Sequence, residues 1–222
     1  MKSESKPKLA IFDTFKTRSN DLTGEAKRQR AIISILGNSA NPAERTRTGI
    51  SQKIAKKQGI TWKNIYSGIF RDLDEILLPM GIAEENGRLP LKRGPKALQE
   101  KGIPYYHLTK KGILVGLSIN GIENMSSEFR KFFAESEPKE KEFANILSKF
   151  MTNSPTFTYS IFQKYVKAFC EDKIKELLPF DLSKLQDIPD ENLIIQKEIV
   201  LAFEKLSSKE KKEAIVFLEK IT

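Results

Sequence analysis

The chain contains one cysteine and one histidine among its 222 residues. A single cysteine, Cys170, cannot form an intramolecular disulfide, and one Cys with one His cannot supply the ligand set of a zinc site. We therefore expect no metal centre. Cys170 lies on an apolar helix face, which predicts a buried structural thiol. His107 lies on a predicted strand, where a structural role is expected.

Long hydrophobic runs are also missing. No apolar segment approaches the roughly 20 residues that a bilayer-spanning helix needs. The first residues, MKSESKPKLAIFD, lack the apolar core of a secretory signal. Hydrophobic residues still make up 39% of the chain, including 14 Phe, which is enough for a packed core. These features predict a cytoplasmic protein that does not contact membranes.

The sequence contains no recognisable catalytic motif. It has no Gly-rich phosphate loop of the form GxxxxGK[ST], and no pair of acidic residues stands in a known arrangement. The Lys and Glu mixtures of the second half are typical of solvated helix faces. We therefore expect a protein that is not an enzyme and that carries no cofactor.

Positive charge is present in excess, and it is unevenly distributed. Residues 1–120 contain 22 Lys and Arg against 11 Asp and Glu, a net charge of +11. Residues 121–222 contain 16 against 18, a net charge of −2. A charge that serves solubility need not be segregated in this way, whereas a half that binds a polyanion would be. The first half is therefore predicted to bind nucleic acid.

Residues 49–83 have the pattern of two helices joined by a tight turn. Apolar residues four and five positions apart mark one face of a short helix, and Gly59 is expected to end it. A longer helix is predicted over 61–77, with Thr61 as its cap. Its apolar stripe consists of Ile65, Ile69, Leu73, Ile76 and Leu77. This arrangement is typical of a helix-turn-helix unit.

The opposite face of the second helix combines cations with hydrogen-bonding groups. Its members at helical spacing are Lys63, Asn64, Ser67 and Arg71. Such a face can bond base edges and phosphates in a major groove. The alternative is a solvated helix face of no special function.

This helix also carries two aromatic residues outside the apolar stripe, Trp62 and Phe70. Trp62 is equally consistent with packing on a DNA backbone and with covering the turn before the helix. Phe70 lies four residues after Tyr66, and this spacing predicts that Phe70 packs in the core against the following segment.

A basic segment follows between two predicted strands. Residues 88–102 contain five basic residues, one Glu, two Pro and two Gly. The prolines exclude ordinary central-strand pairing, which indicates a protruding hairpin or loop. One strand is predicted to begin at Ile82 and Ala83, and a return strand is predicted over 103–108. A helix is expected from about residue 109.

The order helix, helix, turn, helix, strand, basic loop, strand and helix, with YYHLTKKG at 105–112, resembles the winged helix-turn-helix domains of prokaryotic, archaeal-type transcriptional regulators. The resemblance covers about residues 25–120. It implies that helix 61–77 reads the major groove of duplex DNA. It also implies that a basic wing over 87–103 contacts the backbone or the adjacent minor groove. The wing is longer here than in the common version, and Trp62 is a further departure.

The implied DNA contacts fall into three groups. The recognition-helix group is Thr61, Trp62, Lys63, Asn64, Ser67 and Arg71. The wing group is Arg88, Lys92, Arg93 and Lys96. A third group, expected on the DNA backbone, is Arg45, Arg47 and Lys53.

Residues 121–222 show helical spacing and few strand signals. Five helices are predicted, which would form a bundle. One long helix is expected to continue through Leu178, and Ser207 with Glu210 forms a capping box for the last helix. The bundle either forms a homodimer or lines an effector pocket with aromatic side chains. Because aromatic stripes more often belong to a core, the homodimer through the C-terminal helices is favoured over a small-molecule effector.

The sequence thus predicts a mainly α protein in three parts. A mostly flexible basic arm is expected over 1–22, and its apolar patch, Leu9 to Phe12 with Phe15, either stays mobile or docks on the core. A winged helix-turn-helix domain of three helices plus a β-hairpin wing is expected over 23–120. A helical dimerisation or partner-binding domain is expected over 121–222. The favoured function is a nucleoid-associated transcriptional regulator that binds double-stranded DNA. Two alternatives are a sequence-neutral DNA-binding protein of replication or chromatin, and a winged-helix module that binds proteins.

Overall fold

The computed structural model describes residues 7–17, 21–90, 101–134, 136, 138–141 and 143–221. This part of the chain is mainly helical and contains a two-stranded antiparallel sheet. The chain divides into two compact units, Met1–Leu182 and Ser183–Thr222. Within the described ranges, no helix combines the length and apolar character needed to cross a membrane.

Three helices open the first unit. They are α1 (Gly24–Asn38), α2 (Arg47–Gln58) and α3 (Lys63–Arg71), with a 3-10 turn at Pro42–Arg45 before α2. Thr23 caps α1 by accepting a hydrogen bond from the backbone N of Ala26. Gly59 ends α2 with a φ of 67°, a left-handed conformation that glycine adopts readily. The predicted end of α2 at Gly59 is therefore confirmed.

The helix after Gly59 ends at Leu77 as predicted, but it begins at Lys63 and is not capped by Thr61. α3 continues beyond Arg71 as a π-helical turn over Asp72–Leu77. In place of a Thr61 side-chain cap, the backbone N of Asn64 donates to the backbone carbonyl of Thr61 at 3.0 Å. The apolar stripe faces the core as predicted, because Ile69, Leu73 and Leu77 are fully buried.

The sheet consists of β1 (Ala83–Leu89) and β2 (Ile103–Leu108). Ala83 lies opposite Leu108 and Leu89 lies opposite Ile103, so the strands run antiparallel and flank residues 90–102. A bulge interrupts the register between Glu85 and Gly87. The return strand predicted over 103–108 is confirmed.

The helix that follows β2 is α4 (Lys110–Ser118), and two residues of the YYHLTKKG segment fix it in place. The Thr109 hydroxyl accepts from the backbone N of Gly112 at 3.1 Å and donates to the Gly81 carbonyl at 2.6 Å. A Cβ at Gly112 would lie 2.0 Å from the carbonyl oxygen of Ile82. Thr109 and Gly112 therefore hold α4 against the chain just before β1.

The rest of the first unit is helical. It contains α5 (Met125–Ala134), the short α6 (Pro138–Lys141), α7 (Ala144–Asn153) and α8 (Pro155–Cys170). α8 packs against α4, and α5 contacts both α4 and α7. Aromatic rings fill the space between these helices, with Phe180 in contact with Phe132, Phe162 and Tyr165.

The division of the chain falls at a different place from the predicted boundary at residue 120. Lys110 on α4 donates to the buried carboxylate of Glu140 at 2.6 Å, and the other oxygen of Glu140 accepts from the backbone N of Phe180 at 2.7 Å. This ion pair and the packing of α8 on α4 join residues 121–182 to the preceding part. Only the segment after Leu182 forms a separate unit among the described residues.

The N-terminal segment differs from the predicted flexible arm over 1–22. Leu9, Ala10 and Ile11 are buried, so the apolar patch docks on the core. The backbone N of Ala10 donates to the buried Gln29 side chain at 2.8 Å, and Arg30 donates to the Ile11 carbonyl at 2.7 Å. Residues 7–17 are therefore anchored on α1, whereas residues 1–6 and 18–20 lie outside the described part.

The helix predicted to continue through Leu178 ends at Cys170. Asp172 adopts a φ of 59°. The backbone N of Asp172 donates to the Phe169 carbonyl, and that of Lys173 donates to the Ala168 carbonyl. This pair of bonds is a Schellman motif. The prediction was wrong because the left-handed position is usually occupied by glycine, whereas here it is occupied by aspartate.

The second unit contains two helices, α9 (Glu191–Lys205) and α10 (Ser208–Ile221). Asp190 caps α9 by accepting from the backbone N of Leu193 at 3.1 Å. The predicted capping box of α10 is confirmed, because Glu210 accepts from the backbone N of Ser207 at 2.8 Å. Neither helix contains a buried residue.

Candidate nucleic-acid interface

The outward face of α3 brings together the polar residues that the sequence singles out. Lys63, Asn64, Ser67 and Arg71 are all exposed, and Thr61 is exposed just before the helix. Trp62 is half-buried and makes an edge-on contact with Tyr66 at 5.7 Å between ring centroids. Trp62 therefore covers the start of α3 and still presents part of its surface to solvent.

The inner side of α3 is fixed to α1 by a buried ion pair. Arg28 donates from Nε to one carboxylate oxygen of Asp72 at 2.7 Å, and Asp72 is fully buried. Gly68 makes this possible, because a Cβ there would lie 2.9 Å from Nε of Arg28. Arg71 approaches the other carboxylate oxygen to 3.6 Å. Two guanidinium groups therefore surround one carboxylate at the edge of the exposed face.

A hollow of about 410 Å³ lies beside this face. It is lined by Arg28, Asn64, Ile65, Ser67, Gly68 and Arg71. The sequence analysis did not include Arg28 in the site, because Arg28 lies 44 residues before Asp72 and appears only as one of several cations on α1. Arg28 lies on α1 and Gly68 on α3, and nothing in the sequence indicates that these two helices meet at this point.

Arg47, which was predicted to contact the DNA backbone, has a structural role. Its guanidinium binds Asp74 through Nη2 at 2.6 Å and Nε at 3.0 Å. It also lies 5.1 Å from the ring centroids of Phe70 and Tyr106. Burial lowers the pKa of Arg47, but hydrogen bonding to Asp74 raises it, and the net shift is upward. Arg47 therefore connects α2, α3 and β2.

The contacts of Arg47 also explain the position of Phe70. The sequence predicts that Phe70 packs in the core, but its side chain is 45% exposed. Tyr106 is the aromatic residue that occupies the core at this place, and burial raises the pKa of its phenol. Phe70 instead lies at the surface under the guanidinium of Arg47.

The other two predicted backbone contacts also have partners within the protein. Lys53 forms an ion pair with Glu44 and donates to the Ser39 hydroxyl at 2.8 Å. Hydrogen bonds from Lys53 and Ser39 lower the pKa of Glu44. Arg45 lies 5.3 Å from the ring centroid of Tyr105. These contacts orient α2 and the 3-10 turn, so a role in DNA binding would compete with them.

The described part of the predicted wing is paired as well. Arg88 forms an ion pair with Glu85 at 2.6 Å and donates to the Lys101 carbonyl at 3.4 Å. The other predicted wing residues, Lys92, Arg93 and Lys96, lie outside the described residues. Among the described residues, the exposed face of α3 is therefore the surface that carries two of the predicted DNA-binding cations, Lys63 and Arg71.

The one histidine of the chain lies on β2, and the one cysteine is the last residue of α8. No cluster of three or more His, Cys, Asp or Glu able to hold a metal ion occurs within the described ranges. His107 lies 3.2 Å from Glu84 on the paired strand. Burial raises the pKa of Cys170 to about 12. Among the aromatic side chains of α8, Phe162 and Tyr165 are fully buried in the core.

The site is thus a solvent-facing helix that presents an ammonium, a guanidinium, an amide and a hydroxyl on one side. Comparison of the chain with models of known protein families, with curated proteins and with solved structures finds no match. A function must therefore be inferred from the geometry and charge of the chain itself.

Proposed function

We propose that this chain binds duplex DNA as a transcriptional regulator of the winged helix-turn-helix type, with the exposed face of α3 in the major groove. The observation that carries the proposal is the common exposure of Lys63, Asn64, Ser67 and Arg71 on one helix. Their side chains supply the donors and acceptors that base edges and phosphates bind.

The dimensions of α3 suit this role. An α-helix with its side chains is about 10–12 Å across, which fits the roughly 12 Å width of the major groove, and the nine residues of α3 give it a length of about 14 Å. The ion pairs from Arg28 and Arg47 fix its inner side to α1 and α2. A helix held in this way presents its outer side chains without a large loss of conformational entropy on binding.

Within the site, phosphate binding and base recognition fall to different residues. Lys63 has no contact with an acidic group among the described residues and is suited to bind a phosphate as a point charge. Asn64 and Arg71 offer the paired donors and acceptors that adenine and guanine edges bind. The hollow beside them has room for a backbone phosphate near Arg28 and Arg71. Phosphate contacts would set the orientation, and base contacts the sequence preference.

The charge of the chain supports a polyanionic partner. The net charge of +11 over residues 1–120 gives a long-range attraction to DNA that decreases with salt. The antiparallel strands β1 and β2 flank a loop whose sequence is rich in Lys and Arg. In the proposed arrangement this loop binds the DNA backbone next to α3.

Selection of bound duplexes from a random pool tests the proposal. We expect enrichment of a defined sequence, and Asn64→Ala should weaken binding to that sequence by about 10-fold or more, in line with 1–3 kcal/mol for a good base contact. Binding of the same variant to random duplex should be nearly unchanged. Asn145→Ala, which replaces an exposed asparagine on α7, is the matched control.

Two results would favour the alternatives. Salt-sensitive binding without enrichment would indicate a sequence-neutral DNA-binding protein, in which phosphate contacts alone provide affinity. Absence of DNA binding at low salt would contradict the proposal and favour a module that binds proteins. Equal loss for Asn64→Ala on selected and random duplex would exclude base recognition by α3.

A further inference from the structure

The second unit presents much more apolar surface than the first. Of the 16 large hydrophobic side chains that are exposed in the described residues, ten lie on α9 and α10. They are Ile194, Ile195, Ile199, Val200, Leu201, Ile215, Val216, Phe217, Leu218 and Ile221. Val200 is 67% exposed and Phe217 is 60% exposed. Isolated apolar residues on a surface are ordinary, but ten within 28 consecutive residues mark an interaction site.

The distribution of these residues differs between the two helices. At 100° per residue, the apolar positions of α9 are spread around the helix, including Ile194, Ile195 and Val200. A helix that is hydrophobic all round is ordinarily buried. In α10 the apolar positions are confined to the second half of the helix, where Ile215 to Leu218 follow one another and Ile221 completes the set. Both helices therefore have the pattern of buried helices, α9 along its length and α10 in its second half.

We propose that α9 and α10 form the interface with a second copy of this chain. Residues 183–222 contain seven Lys and eight Asp and Glu, so two copies do not repel each other strongly. The charges are also complementary, because Glu191–Lys205 has a net charge of −1 and Ser208–Ile221 has a net charge of +1. An acidic α9 of one chain suits the basic α10 of its partner, and a two-fold axis makes this contact twice.

The available area is sufficient for a stable dimer. At roughly 80 Å² for each half-exposed side chain, ten side chains supply about 800 Å² per chain, the contribution of one partner to a standard interface. Two pairs of helices from two chains are enough to enclose a four-helix core. This interface does not involve the aromatic helices over 121–182, which pack within the first unit.

Sedimentation velocity of the full chain, without DNA, tests the proposal. At tens of micromolar the wild-type protein should sediment as a species of twice the 25.3 kDa chain mass. The double variant Val200→Glu with Phe217→Glu should sediment as a monomer, with self-association weakened by about 100-fold or more, because a charge would enter an apolar interface. Ile146→Glu, at a side chain of α7 that is 43% exposed, is the matched control and should remain a dimer.

Circular dichroism of the same proteins separates assembly from folding. Glutamate favours helix at least as well as valine or phenylalanine, so the double variant should keep the helical signal of the wild-type chain. A monomeric wild-type chain, or a dimer that the double variant leaves intact, would overturn the proposal. The measurement does not depend on DNA, so the proposed dimer and the proposed DNA binding can be contradicted independently of each other.

Discussion

At the scale of single residues, the chain uses chemically identical side chains in different ways. Arg28 and Arg47 bind the carboxylates of Asp72 and Asp74, whereas Arg71 is largely exposed. The sequence does not distinguish them, because the partners of Arg28 and Arg47 are 44 and 27 residues away. The exposure of the polar face of α3 was predictable, because helical periodicity alone separates it from the apolar stripe. Its members are Lys63, Asn64, Ser67 and Arg71.

Loss of Arg28 should destabilise the fold. Arg28→Met leaves the buried carboxylate of Asp72 without its closest partner, and we expect the free energy of unfolding to fall by about 3 kcal/mol. Arg71→Met should change it by less than about 0.5 kcal/mol, because exposed ion pairs contribute little. Urea denaturation followed by circular dichroism measures both values. Equal losses would show that Arg28 and Asp72 are not a structural pair.

The thiol of Cys170 should be protected by the fold. Its pKa rises through burial from an ordinary value near 9 to about 12, so the folded state favours the neutral thiol. The resulting stability is complete below the unfolded value and decreases as pH rises toward 12. At about pH 8 a disulfide reagent should modify Cys170 slowly in native buffer and rapidly in concentrated urea. Equal rates in the two conditions would contradict burial.

At the scale of secondary-structure elements, the sequence was sufficient to predict the helix ends that are fixed by contacts between neighbouring residues. Gly59 and the Ser207–Glu210 box act within one helical turn, and each marks a helix end as predicted. The end of α8 was missed because an aspartate takes the left-handed position. The anchoring of Leu9 and Ile11 was only partly predictable, because it requires Gln29 and Arg30 of α1 to meet the segment.

The junction between β2 and α4 should be sensitive to small changes. Thr109→Val keeps the side-chain shape but removes the cap and the bond to Gly81, and should destabilise the protein by about 1–2 kcal/mol. Gly112→Ala should cost more, because its Cβ would collide with the backbone carbonyl of Ile82. Gly24→Ala is the matched control, since its Cβ would meet only Arg28 at 3.7 Å. The temperature of thermal unfolding ranks the three variants. A Gly112→Ala variant as stable as the wild type would contradict the close approach of residue 112 to the Ile82 carbonyl.

At the scale of the whole molecule, the two compact units differ in net charge. Residues 1–182 contain 31 Lys and Arg against 21 Asp and Glu, a net charge of +10, whereas residues 183–222 have a net charge of −1. The sequence predicted a polarised chain, but it did not predict that residues 121–182 belong with the basic part. That grouping depends on the buried pair of Lys110 and Glu140, which resembles a solvated pair in the sequence.

The proposed binding of DNA by the exposed face of α3 is tested most directly by the salt dependence of the affinity. Fluorescence anisotropy of a labelled duplex between about 50 and 300 mM salt gives the slope of log affinity against log salt concentration. Lys63→Gln with Arg71→Gln should reduce this slope by about one to two units, because each lost phosphate contact removes about one. Lys149→Gln with Lys175→Gln removes the same charge elsewhere and should leave the slope unchanged. Identical slopes for the two double variants would contradict phosphate binding by the exposed face of α3.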